Sequence, residues 1–208
     1  NLAVCTPDLW NTADSVFPRL IQNADQTAFL QYTSGSTAQP RGVQISHRNL
    51  MSNLKMIQDQ MGIRTERESG VTWLPHYHDM GLVGFCLSPA MGQVTVDYLA
   101  TTAFARRPAL WLRLMSENRT TVSYSPSFGY DLAARRINGE APTLDLSHWR
   151  AAGIGGDMVR ADVLQRFGET LKVAGFDDRA FLPSYGMAES TLAVTFADVG
   201  KPIKIDTI

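Results

Sequence analysis

The sequence predicts an α/β domain: a mostly parallel sheet with helices packed on its faces. Two observations carry this. Short runs of apolar and β-branched residues alternate with longer runs whose apolar residues recur at helical spacing. Polar, glycine-rich stretches also stand immediately after several of the predicted strands, where open parallel sheets bind ligands.

The elements follow in order. Residues 1–28, with Pro7 and Pro18, read as a linker holding one short helix near Val16 to Ile21. Residues 29–208 read as the α/β unit. Phe29 to Tyr32 is a strand, and Val43-Gln44-Ile45 alternates as the strand that returns from the loop between them, so the two are expected to form a hairpin. Ser46 is an N-cap, Leu50, Leu54, Ile57 and Met61 follow at helical spacing, and Gly62 closes the helix. That stripe reads as core. Val71 to Leu74 is a strand ended by Pro75, and Leu82 to Met91 is an apolar helix or helical turn. Gln93 to Leu99 is a strand, Pro108 to Asn118 a helix, and Thr121 to Tyr124 a strand leading into a short helix. Trp149 to Ile154, Ala180 to Leu182 and Leu192 to Phe196 complete the strands, with a helix over Ala161 to Ala174. No internal repeat is evident.

Composition excludes several classes. The chain has 208 residues, is 44% apolar and 19% charged, and carries a net charge of −1, so neither nucleic acid nor an anionic membrane is an expected partner. Two cysteines, Cys5 and Cys86, make no disulfide or zinc framework. With no signal peptide and no membrane-spanning run, a cytoplasmic monomer is the expectation.

The most informative stretch is Tyr32-Thr33-Ser34-Gly35-Ser36-Thr37-Ala38-Gln39-Pro40-Arg41-Gly42-Val43. A strand ending in hydroxyl-rich residues and glycine offers flexible N–H and O–H donors, and Arg41 adds a permanent cation, which together suit phosphate oxygens. It is not a Walker loop: no Gly-Lys-Ser/Thr arrives in register, and Pro40 stands where the phosphate-binding helix would begin. Glu189 alone reads equally as a helix-start carboxylate, Tyr185 as a strand-end core residue, and His78-Asp79 as an N-cap pair.

The stretch resembles the Y-T-S-G-S-T-G-x-P-K-G-V signature of the adenylate-forming superfamily, with Ala38 and Arg41 in place of glycine and lysine. Trp73-Leu74-Pro75-His76-Tyr77-His78-Asp79-Met80-Gly81-Leu82 resembles W-L-P-x-Y-H-D-M-G-L of the fatty acyl-AMP ligases. Pro126-Ser127-Phe128-Gly129-Tyr130-Asp131-Leu132 is similar to their P-N-F-A-Y-D-L. Gly155-Gly156-Asp157 resembles the end of N-G-A-E-P, and Tyr185-Gly186-Met187-Ala188-Glu189 resembles Y-G-L-A-E, with Ala188 where most of the superfamily has Thr.

This resemblance implies a reaction in which a fatty acid and ATP give an acyl-adenylate and pyrophosphate, followed by transfer to the thiol of an acyl carrier protein. It implies ATP and Mg²⁺. By resemblance Thr33, Ser34, Gly35, Ser36, Thr37 and Arg41 bind the ATP phosphates, and Thr191 touches the α-phosphate. Glu189 and Thr33 hold the metal. Gly155, Gly156, Asp157, Ser184, Tyr185 and Gly186 surround adenine. His78, Asp79, Met80 and Gly81 meet the acid, and His78, Asp79 and Glu189 are the catalytic candidates. The resemblance also implies an α/β portion before this one and a small lid domain after it. The 208 residues alone are therefore expected to be inactive or nearly so. An acyl-CoA ligase and a nucleotide-binding module without catalysis are the alternatives, the latter on the strength of Ala38, Arg41 and Gly156.

Overall fold

The computed structural model describes residues 23–33, 40–63, 68–137 and 139–205. The expected helix near Val16 to Ile21 lies outside them. A turn at Asn23–Gln26, closed by the Gln26 N–H donating to the Asn23 carbonyl at 3.0 Å, leads into β1 (Thr27–Thr33), two residues earlier than expected. β1 pairs antiparallel with β2 (Arg41–Ser46), so the expected hairpin forms, with Thr33 opposite Arg41. Helix α1 (His47–Met61) starts with reciprocal capping: Ser46 Oγ accepts the Asn49 N–H, and Asn49 Oδ1 accepts the Ser46 N–H. It ends at Gly62, whose φ of 59° is the left-handed conformation glycine adopts at little cost.

The main sheet has six strands in the order β4-β3-β5-β6-β7-β8. They are β3 (Ser69–Thr72), β4 (Thr95–Tyr98), β5 (Val122–Ser125), β6 (Ala151–Ile154), β7 (Phe181–Gly186) and β8 (Ala193–Phe196). All pair in parallel except β8, which runs antiparallel to β7. The chain leaves β3 to one side for β4, then returns to the other side for β5. The crevice beyond the carboxyl ends of β3 and β5 is thus a topological switch point.

Two layers cover the sheet. On one face lie α3 (Thr101–Arg106), α4 (Ala109–Glu117), α5 (Ser127–Arg136) and α6 (Ala161–Leu171), against Val71, Ala152, Ile154 and Phe181. On the other lie α1 and a π-helical stretch over Met80–Leu87 that continues as α2 (Ser88–Gly92), against Val122, Ala151, Leu182 and Ala193.

Several boundaries differ from the sequence reading. β3 begins two residues early and stops at Thr72, because Thr72 Oγ1 takes the Leu74 N–H and the Thr72 carbonyl takes the Leu99 N–H. Helix α3 was not anticipated; its six residues are too few to show a period. The expected apolar helix is π-helical in its first part, an arrangement that concentrates at functional sites. Ser184, Tyr185 and Gly186, expected in a loop, belong to β7, because β8 folds back and pairs with them.

Candidate functional site

The residues after β3 are held by a tight turn. The His78 N–H donates to the Pro75 carbonyl at 3.1 Å, and a side chain at Gly81 would collide with that same carbonyl. Gly81 therefore permits the turn. Asp79 is nearly buried; its Oδ1 accepts the Met80 N–H at 2.7 Å and lies 2.6 Å from His78 Nδ1. This hydrogen bond raises the His78 pKa above its ordinary value, and partial burial opposes the rise only in part. The pair both caps the π-helical stretch and faces a cavity.

Beyond β6, Gly156 has φ 81°, and a Cβ there would sit 2.8 Å from Met80 Sδ. Only glycine serves both demands. Asp157 turns away: its Oδ1 accepts the Ser127 N–H at 3.0 Å and caps α5, while Ser127 Oγ donates to the Met158 carbonyl. Tyr185, at the end of β7, is 61% exposed, leaving a ring face open beside Gly155 and Gly156.

The segment from Gly186 to Ala193 is a closed backbone loop. The Met187 N–H donates to the Leu192 carbonyl at 2.8 Å, and a Cβ on Gly186 would collide with that carbonyl. The Leu192 N–H donates to the Ser190 carbonyl at 2.9 Å, forming a γ-turn centred on Thr191, which has φ 73° and ψ −56°. A β-branched residue in this region is strained, and such strain concentrates at functional sites. The loop is clamped from α1: Asn53 Nδ2 donates to the Ala193 carbonyl at 2.8 Å, and Asn53 Oδ1 accepts the Ala193 N–H at 3.1 Å. Glu189 sits in this loop, exposed and in no ion pair among the described residues.

A single cavity of about 250 Å³ connects these parts. His78, Asp79, Met80, Gly155, Gly156, Ser184, Tyr185 and Gly186 line it at the carboxyl end of the sheet. Its interior is apolar and runs between the sheet and the helical layer, past Tyr124, Phe85, Ile57 and Met61 to Gly70, Val96 and Val122. Burial raises the Tyr124 hydroxyl pKa far above its ordinary value, so the phenol stays neutral there.

The structure thus gathers eight of the candidate residues around one cavity and leaves the other described candidates off its wall. Gly81 supports the turn, Asp157 caps α5, and Thr191 and Glu189 lie in the clamped loop. Thr33 and Arg41 face each other at the end of the hairpin, while Ser34, Gly35, Ser36 and Thr37 lie outside the described residues. Sequence reasoning missed the inner wall. Ile57 and Met61 do belong to the core, as expected, but they also face the cavity.

Among the described residues no group of three His, Cys, Asp or Glu side chains is placed to hold a metal ion. One exposed carboxylate and one strand-end hydroxyl, Glu189 and Thr33, remain as oxygen donors. Each is a hard oxygen donor of the kind that Mg²⁺ takes. No helix among the described residues is long and apolar enough to cross a membrane.

Comparison with known proteins bears on this arrangement. The family model described as AMP-binding enzyme matches residues 6–208. A putative acyl-CoA synthetase of Caulobacter vibrioides is 47% identical over 97% of the chain and 35% of its own length. A medium-chain fatty acid–[acyl-carrier-protein] ligase of Moorena producens is 36% identical over 96% of the chain and 35% of its own length. The structure of a fatty acyl-adenylate ligase from L. pneumophila, in complex with acyl adenylate and pyrophosphate, superposes with a TM-score of 0.83 at 40% identity, over 87% of this chain and 32% of that one. The chain therefore spans about a third of the length of the relatives it matches. With the match running over nearly all of its length, the chain belongs to the AMP-binding enzyme family.

Proposed function

We propose that this chain carries the nucleotide and acyl sites of a ligase that converts a fatty acid and ATP into an acyl-adenylate and pyrophosphate. The observation that carries the reading is the continuous cavity, which joins a polar mouth at the sheet's carboxyl end to an apolar interior. An amphiphilic acid would place its carboxylate at His78 and Asp79 and its alkyl chain among Phe85, Tyr124 and Met61. Adenine would lie between the Tyr185 ring and the Gly155-Gly156 backbone.

The chemistry brings a carboxylate to an α-phosphorus, so two anions must meet. Catalysis is mainly alignment and charge neutralisation. At that junction His78, held by its bond to Asp79, would add a positive charge when protonated, balanced by the Asp79 carboxylate. Arg41 and the residues from Thr33 to Thr37 would hold the phosphates. Glu189 and Thr33 would hold Mg²⁺, which supplies Lewis-acid neutralisation of the phosphate oxygens when bound. Transfer of the acyl group to a carrier-protein thiol is the second half of the proposal, and the Moorena relative supports it. The Caulobacter relative favours a second reading, with coenzyme A as the acceptor.

The test uses the full-length protein with ATP, Mg²⁺, a panel of fatty acids and free coenzyme A, with products identified by mass spectrometry. Acyl-adenylate without acyl-CoA is the expected result. Acyl-CoA would establish the second reading, and ATP binding without either product would leave only a nucleotide-binding module.

A further inference from the structure

We infer that Gly70 sets the depth of the acyl cavity, and so the length of acid the enzyme prefers. The inference rests on the acyl-binding reading above.

The parallel register aligns Gly70 of β3 with Val96 of β4 on one side and Val122 of β5 on the other. In-register positions share a face of the sheet, and all three line the cavity. They lie toward the amino ends of the strands, away from the mouth at the carboxyl ends, in the inner part of a cavity whose wall continues to Ile63 and Val94. In this row the flanking positions carry valine and the middle one carries no side chain. A Cβ built on Gly70 would point into the space below Phe85, 3.2 Å from Val96 Cγ2 and 3.6 Å from Phe85 Cε1. Gly70 has no positive φ that would require glycine. A glycine inside a strand weakens it, and one recognised reason for it is close approach of a ligand. Here the missing side chain lets Val96 and Phe85 close over the strand, so a methyl group at position 70 would push them into the cavity.

The experiment measures acyl-adenylate formation by the full-length protein across a homologous series of straight-chain acids, for wild type, Gly70→Ala and Val96→Ala. In Gly70→Ala the preferred acid should shorten by about one to two carbons. Acids at the wild-type optimum should lose at least about tenfold in kcat/KM, the usual cost of one misplaced methylene in an apolar pocket. Short acids should keep their wild-type rates, which separates a shallower cavity from a damaged fold. Val96→Ala removes bulk from the same row and should shift the preference toward longer acids. A length profile unchanged in both variants would overturn the role of Gly70 while leaving the acyl reading intact. A wild-type enzyme indifferent to chain length would also overturn the role of Gly70 alone, whereas no acyl-adenylate from any acid would overturn the acyl reading on which it rests.

Discussion

The two faces of the sheet are packed on opposite plans. Under α3 to α6, aromatic rings fill the interior. Trp73 stacks on Phe104 at 3.8 Å, and Trp111 makes edge contacts with Trp73, Phe104, Tyr130 and Trp149 at 5.3–6.4 Å. Its indole N–H donates to Ser123 Oγ at 2.9 Å, and Tyr130 Oη donates to the Gly153 carbonyl. Under α1 and the π-helical stretch the fully buried cluster is aliphatic, with Phe85 and Tyr124 in edge contact at 6.1 Å, Gly70 and Gly84 stand in the packing layer, and about 250 Å³ is left open. Close packing on one side holds the strands in place, so the other side can keep a cavity that packing alone would close.

The largest expected effect tests that division directly. Trp111→Ala should cost about 3–5 kcal/mol in urea unfolding, since it removes a fully buried ring together with its hydrogen bond to Ser123 Oγ. Ile57→Ala, on the cavity wall, should cost about 2 kcal/mol, the low end for such truncations, because its neighbours already border open space. Equal losses would break the contrast between the faces.

Next comes Asn53→Ala. It leaves both polar groups of Ala193 without their partner, at about 1–3 kcal/mol each when buried. It also frees the strained turn at Thr191. Weaker ATP use in the full-length enzyme, out of proportion to the loss of stability in Trp111→Ala, is the expected signature. A purely proportional loss would show that the clamp serves only the fold.

The smallest effect is on ionisation. By NMR titration His78 should titrate above its ordinary value of about 6.5, and Asp79→Asn should bring it back toward that value. The sign is set by the raised pKa: the stabilising ion pair is complete below about pH 6.5 and is lost as pH rises through the higher folded-state value. A midpoint that does not move in Asp79→Asn would remove Asp79 as the cause.

Much of this was legible in the chain. The alternation of periodic segments reported the parallel sheet because side-chain period follows backbone geometry, a local property. The motifs after the strands located the mouth for the same reason: glycine and hydroxyl residues at strand ends are read without knowing their neighbours. Other features depend on pairs far apart. Asp157 reads as a site residue until Ser127 is seen to use its carboxylate. Ser184 to Gly186 read as a loop until β8 pairs with them. Ile57 and Met61 read as core, and only the third dimension shows that they also wall a cavity. By itself the sequence determined the class of fold, the order of its strands and the stretches that gather at the cavity's mouth. The tertiary structure alone decided which carboxylates are already engaged, which strained turn is held from α1, and where the interior is left empty. An empty volume is a relation among Gly70, Val96 and Phe85, which lie on separate elements, and no single stretch of sequence encodes it.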